Sequence, residues 1–277
     1  MTAPLLRSPL ARGKDVVRLA GRALLTVALL AFLLIAWQVV TTRTTYPFFP
    51  PPWTVLQNMG TLLFSGPPSH LWLSDTARSD ALPTLTRMVL GFLLGSTVGV
   101  VLGTVVGLFR TASELSTPVI EFLRSVPAAA TLPLFIIVLG AGSDMRVLFI
   151  AFGVVWFVLI NTANGVSSIH ETQLMMGRSF RVAWWRQLIR IVLPAASPQM
   201  FAGLRVALSS SLIFAVVSEF QLASNGAGYQ LVNAQARFQI LDMWTWIFFL
   251  AFVGLILNLL LALVERWALS WHRAQRV

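Results

Sequence analysis

The side chains of this sequence that could do chemistry are few, and they do not gather. Lys14 is the sole lysine and precedes Asp15, so the phosphate-binding pattern GxxxxGK[ST] is absent. His70, His170 and His272 are far apart and lack metal-ligand spacing, so no metal site is expected. With no cysteine there is neither a disulfide framework nor thiolate chemistry. No HExxH, no GxSxG and no pair of carboxylates within an apolar run occurs. An enzyme working inside a membrane would need such a cluster, so no catalytic residue is assigned. Two ionisable residues in apolar surroundings remain, Arg205 and Glu219. Their fourteen-residue separation is about 21 Å along a helix, too far for them to pair with each other. Each either faces a bundle interior or aqueous cavity, or joins an ion pair near an interface.

The densest polar feature is an insertion from Glu171 to Pro194, ETQLMMGRSFRVAWWRQLIRIVLP, between long apolar runs. It holds Arg178, Arg181, Arg186 and Arg190, with no acid after Glu171. Leu174, Met175, Phe180 and Val182 alternate with polar neighbours as on a short amphipathic helix, and Pro194 is expected to break the pattern. Two uses fit: a loop gripped by a partner protein, or a basic helix lying on lipid.

The elements around it are apolar. The 277 residues are 57% hydrophobic and 11% charged, and mean hydropathy is +0.78. Several runs approach the ~20 residues that cross a bilayer, which excludes a soluble domain. The net charge of +10 does not imply nucleic acid, because most arginines flank apolar runs as topology determinants do. Residues 1–22 form a basic segment expected in the cytoplasm, and 23–40 a first membrane helix retained rather than cleaved. Residues 44–81, rich in proline, read as an outer loop with a short helix from Trp53 to Phe64.

The second crossing, about Leu85 to Leu108, carries Gly91, Gly95, Gly99, Gly103 and Gly107. Such a stripe either lets another backbone pack closely or lines a translocation path. Residues 109–117 read as a turn. The third crossing, Pro118 to Gly140, is expected to break at Pro127 and Pro133, as a pore wall or as a kinked packing helix. Glu121 and Arg124 share one face of it, where they could pair. A fourth crossing runs from Arg146 to about Ala163. The fifth, about Phe201 to Phe220, carries Arg205, Ser209 and Glu219, and the last runs from Met243 to Leu263. Six crossings place both termini and the basic 266–277 tail on the inner side.

Taken together, the chain resembles the inner-membrane permease subunits of bacterial ABC importers, of the nitrate, sulfonate and taurine type. Phe49-Pro50-Pro51-Pro52-Trp53-Thr54-Val55-Leu56 is similar to that group's proline-rich lead into its outer helix. Thr84-Leu85-Thr86-Arg87, with Gly91-Phe92, resembles its "TL.R...GF" stretch, and Arg124-Ser125-Val126-Pro127 with Leu132-Pro133 its "R.IP...LP". Glu219 followed by Gly226-Ala227-Gly228-Tyr229 is similar to its "E...GLGY" loop. The insertion resembles the cytoplasmic signature Glu-Ala-Ala, three residues, glycine, nine residues, isoleucine, any residue, Leu-Pro. Anchored on Ile191, Leu193 and Pro194, the signature glycine falls at Arg181 and the triplet at Met175-Met176-Gly177. Glu171 and Gly177 offer another register that leaves Ile191 four residues too far on; Arg178-Ser179-Phe180 and Trp185-Arg186 favour the first.

The resemblance implies an all-α membrane protein of the type I importer permease fold, with a core of five membrane helices at 82–265. It implies a "coupling" helix within 170–182, where Glu171, Leu174, Met175, Met176, Gly177, Arg178, Ser179, Phe180 and Arg181 would meet the ATPase. Two cytoplasmic ATP-binding subunits would carry ATP and magnesium, with no cofactor on this chain. A second permease, taken as a copy of the same chain in preference to a paralogue, would complete the pore. An extracytoplasmic binding protein would deliver the solute. Pro127, Pro133, Arg205, Ser209 and Glu219 are candidates for the path, and Arg205 suits an anion. A stand-alone carrier or channel is the alternative, as is a scaffold without transport; no internal repeat of the kind carriers show is evident.

Overall fold

The computed structural model describes residues 9–44, 47–70 and 72–270. Arg7 and the tail residues His272, Arg273 and Arg276, used above for topology, lie outside the described residues. The described residues form helices and turns, without strands. Five helical stretches are long and apolar enough to cross a bilayer, or six if a bent pair is one crossing.

The first helix, α1, covers Pro9–Thr44 and so begins well before residue 23. The basic segment is rich in leucine, alanine and arginine, all good helix formers, so nothing stops the helix where the charges begin. Its apolar stretch is largely exposed; Trp37 touches the rest of the protein, edge-on to Trp244 and Phe248. The short helix α2 spans Pro52–Leu63, with proline in the first turn, where a missing N–H costs nothing.

The central unit is α3 (Leu82–Leu108), α6 (Ser143–Ser167) and α9 (Leu193–Ser218), with α6 packed between the other two. Met88, Ile150, Val154, Val158, Ala207 and Ala215 form its buried core. All five glycines of the stripe lie on the α3–α6 seam. A Cβ at Gly91, Gly95, Gly99, Gly103 or Gly107 would come within 2.5–2.8 Å of α6, against backbone carbonyls of Ala151, Leu159 and Ala163 at three of them. The geometry is that of close backbone packing, and the stripe does not face an opening. The remaining crossing, α11 (Ile240–Ala268), runs beyond both ends of the 243–263 segment.

Four expected boundaries differ. Residues 109–117 are not a turn but the start of α4 (Arg110–Ser125), secured by an Arg110–Glu114 pair one helical turn apart. The chain breaks once in this region, at Val126-Pro127, where α4 meets α5 (Ala128–Leu139) at 92°. Pro133 lies inside α5 without breaking it; the helix forfeits the bond to Ala129 C=O there and continues to Leu139. Pro194 does not break the chain either, and a membrane stretch runs unbroken from Trp184 to Ser218. Nor does 81/82 separate loop from helix, because Ala77–Ala81 is a wide turn continuous with α3.

Both unbroken joins use the same device. A π-turn, Ala77–Ala81 in one and Leu188–Val192 in the other, immediately precedes a Leu-Pro pair. The Leu82 and Leu193 amides donate five residues back, to Ala77 and Leu188. The wider turn gives room for the ring of Pro83 or Pro194, which an ordinary turn would press against a carbonyl four residues earlier.

The α3–α6 seam leads to a prediction. Gly103→Leu should destabilise the purified protein by about 1–3 kcal/mol through overpacking, read as a lowered thermal unfolding midpoint in detergent. Gly60→Ala, in α2 with nothing within 4 Å of the added carbon, should leave the midpoint unchanged or slightly raised. Equal midpoints for Gly103→Leu and wild type would rule out a tight seam.

Candidate functional site

The insertion between α6 and α9 folds into α7 (Glu171–Ser179) and one turn, α8 (Trp184–Gln187), which enters the π-turn and α9. Glu171 sits in the first turn of α7, where a carboxylate favours the helix dipole. Leu174 turns inward onto Val166, Val192 and Ala196 at the ends of α6 and α9. The Leu174 carbonyl accepts a hydrogen bond from Gln187 Nε2 at 3.0 Å. Gly177 is buried beneath the same Gln187 and Ile191; a Cβ there would lie 3.0 Å from the Gln187 amide. These contacts fix α7 to the membrane helices along one side.

Its other side is bare. Met175, Met176 and Phe180 are 50%, 56% and 77% exposed, and Trp184 beside them 77%. Ser179 and Arg181 are exposed too, while Arg178 has its backbone in α7 and its side chain outside the described residues. Exposed methionines beside aromatic rings are suited to an adaptable protein contact. A cavity of about 320 Å³ opens next to them, between Gln173 and Met176 of α7 and Arg190, Ile191, Pro194 and Ala195.

Arg181 supports the Leu-Pro-anchored register. Its φ is +50°, in the left-handed region that favours glycine. A backbone conformation suited to glycine is thus held by an arginine at this position. The Val182 amide, bonded to Gly177 C=O at 3.0 Å, closes the helix end around it.

The five path candidates do not converge. Pro127 sits at the α4–α5 break and lines a cavity there. Pro133 lies within α5. Arg205 and Ser209 face α11, where Arg205 pairs with Glu265 and Ser209 meets Asn258 at 3.3–3.4 Å. An anion near Arg205 would compete with a carboxylate already there. The expected Glu121–Arg124 pair is present at 2.6 Å.

Glu219 is buried, at 1% exposure, and does not face an opening. Its partner is Arg87, Nη1 to Oε1 at 2.8 Å, 132 residues earlier on α3. Thr84 Oγ1 also donates to the carboxylate, at 2.8–2.9 Å, and the Gly228 amide donates at 3.0 Å. Arg87 Nη2 reaches Asn225 Oδ1 and its Nε reaches Ser143. Asp80 accepts from the Gly226 amide and from Gln230 Nε2. Burial pushes the Glu219 carboxyl above the ordinary carboxylate range, while the Gly228 amide, Thr84 and Arg87 pull it back. Gly226, with φ +128°, lies against the Glu219 carboxyl so closely that a Cβ would be 2.3 Å away. The glycines after Glu219 therefore let the loop wrap the carboxylate. The network joins the start of α3, the end of α9 and the helix α10 (Ala227–Ala236) into one lock. Among the described residues, no group of His, Cys, Asp and Glu could hold a metal.

The model of a family described as binding-protein-dependent transport system inner membrane component matches residues 79–270. The chain belongs to this family. The match takes in α3 to α11 and leaves α1 and α2 outside it. Among relatives, SsuC of Bacillus subtilis, a permease named for aliphatic sulfonates, is 30% identical over 88% of this chain and 86% of its own. CmpB of Synechococcus elongatus, named for bicarbonate, is 29% identical over 69% of each chain. Of solved structures, the inward-facing MetNI methionine ABC transporter superposes with a TM-score of 0.58 at 16% identity, covering 73% of this chain and 99% of its own. The fold is that of a type I ABC importer permease, and the chain is a multi-pass inner-membrane transport component.

Two predictions come from these side chains. Glu219→Gln removes the charge opposite a buried Arg87 and should cost about 3–5 kcal/mol, seen as a large drop in thermal midpoint. A Glu219→Leu/Arg87→Met double variant should recover much of that loss, and additive losses would refute the pair. Between α7 and α8, Arg181→Gly should leave the chymotryptic cleavage pattern of the loop unchanged. Arg181→Pro, whose φ is fixed near −65°, should open the loop to cleavage; resistance in both would show that the left-handed turn is not needed.

Proposed function

We propose that this chain forms the translocation path of an ATP-driven importer for a small anion, with α7 as the helix on which the ATPase acts. The observation that carries this is the two-sided build of α7. Leu174, Gly177 and the Gln187 bond hold one side to the ends of α6 and α9, and Met175, Met176 and Phe180 stand uncovered on the other. A short helix with apolar knobs fits a groove on a soluble partner. Two ATP-binding subunits would carry ATP and magnesium there, one beneath each of two permease copies. A binding protein would deliver the solute to the opposite face.

Orientation follows from charge. The arginines of α7, α8 and the π-turn, with the basic segments at either end, support a cytoplasmic side for these parts and both termini. The lock around Glu219 is then extracytoplasmic. The relatives SsuC and CmpB are named for sulfonates and bicarbonate, both anions, which supports an anionic cargo here.

Co-purification in detergent with the ATPase encoded beside this chain tests the assignment. Wild type should bring the ATPase down, and a variant with Met175, Met176 and Phe180 changed to Asp should retain less than about a tenth of it, three apolar anchors being lost. Equal retention by the variant would remove α7 as the docking helix. Transport by the chain alone, without any ATPase, would favour a stand-alone carrier or channel.

A further inference from the structure

Three exposed arginines hold a carboxylate: Arg110 that of Glu114, Arg124 that of Glu121, and Arg205 that of Glu265. Arg186 and Arg190 are exposed as well and hold none among the described residues. Arg186 Cζ lies over the Trp185 ring, 4.9 Å from its centroid. Arg190 borders the cavity of about 320 Å³ beside α7. Like charges about one helical turn apart repel, and an anion held between them would turn that repulsion into attraction.

The depth of these two cations follows from the packing of α6 against α9. Arg146 of α6 donates to Ser218 C=O at the end of α9, at 3.4 Å. Twenty residues on, Val166 packs with Val192 and Ala196. Twenty helical residues span about 30 Å, the thickness of the hydrocarbon core. Arg190 and Arg186 stand two and six residues beyond Val192, about 3 and 9 Å farther along the axis. That is the depth of the headgroups, a layer of ~5–7 Å on each side. Their neighbours divide to match. Leu188 and Val192 turn inward onto the core at the ends of α6 and α9, while Trp185 and Ile189 stay exposed beside the cations. An apolar stripe next to a basic one suits a helix lying against a negatively charged lipid surface.

We propose that Arg186, Arg190 and the adjoining cavity form a binding site for an anionic phospholipid in the leaflet next to α7. The phosphodiester lies between the two guanidiniums, with the Gln173 amide as a further donor. Trp185 and Ile189 lie along the acyl chains. The cavity lining has the same division, Gln173 and Arg190 being polar and Met176, Ile191, Pro194 and Ala195 apolar. A molecule with a charged head and a hydrocarbon body uses both parts, whereas free phosphate leaves the apolar wall bare. The charges of the site belong to α8 and the π-turn, so the site does not depend on the ATPase reading of α7.

The test is native mass spectrometry of the full chain, released from detergent that holds equal amounts of dioleoyl phosphatidylglycerol and dioleoyl phosphatidylcholine. A basic side chain near an anionic surface is worth about fivefold, so wild type should prefer phosphatidylglycerol by about 25-fold. Arg186→Gln/Arg190→Gln should erase most of that preference and leave phosphatidylcholine retention unchanged, which also reports an intact fold. Arg43→Gln/Arg237→Gln removes two exposed arginines near the Glu219 end and should keep the preference. Excess inorganic phosphate should not displace the lipid. Equal retention of the two lipids by wild type, an undiminished preference in Arg186→Gln/Arg190→Gln, equal losses in both double variants, or displacement by phosphate would each overturn the site. ATPase co-purification is read independently, so the importer reading and the lipid site can fail separately.

Discussion

The close approach of α3 to α6 along five glycines is the constraint on which the other contacts depend. Each glycine costs about 1 kcal/mol of helix propensity relative to alanine, so the stripe sacrifices about 5 kcal/mol before any contact forms. Lipid supplies no hydrophobic drive between helices, so the return comes from dispersion between backbones that side chains would hold apart. With the seam closed, Thr84 and Arg87 at the start of α3 are brought to Glu219 at the end of α9. Close approaches at Gly165 and Gly203 set α6 against α9, and Leu174 of α7 then finds its seat between their ends.

The lock around Glu219 shows how a charge is kept inside a largely apolar protein. A buried ion pair alone rarely repays the desolvation of its members. Here the carboxylate also accepts from Thr84 and the Gly228 amide, and the guanidinium donates to Asn225 and Ser143. Every strong donor aimed at Glu219 comes from an element fixed elsewhere, so the network holds three chain segments in one arrangement. Asn225 and Gly226 have little freedom within it, which explains a glycine-rich loop that is well packed.

Much of the architecture was legible from periodicity and composition. The glycine spacing of four marks the seam because that spacing keeps one helix face, and the polar insertion stands out against apolar flanks. The Leu-Pro anchor placed Arg181 where a left-handed turn proved to be. Pairing over long separations leaves no such trace. Arg87 was visible as part of a motif, but nothing local links it to Glu219. Arg205 likewise drew attention as a path residue because its partner, Glu265, lies sixty residues on. Prolines misled for a related reason. Pro194 has the local chemistry of a break, and only the widened turn before it reveals that the helix continues.

The stretch from Trp184 to Ser218 has 35 residues, about 52 Å of helix against ~30 Å of hydrocarbon. It is clasped by α7 at one end and by the Glu219 lock at the other. Its stiffness is uneven. The π-turn and the missing amides of Pro194 and Pro198 all fall between Leu188 and Pro198, whereas the twenty residues onward to Ser218 contain no proline. Bending compliance is therefore concentrated in the third next to α7. A force applied at α7 would meet a pivot near Pro194 first and a stiffer lever beyond it, so the α7 end would swing through an angle while the Glu219 end stays clamped.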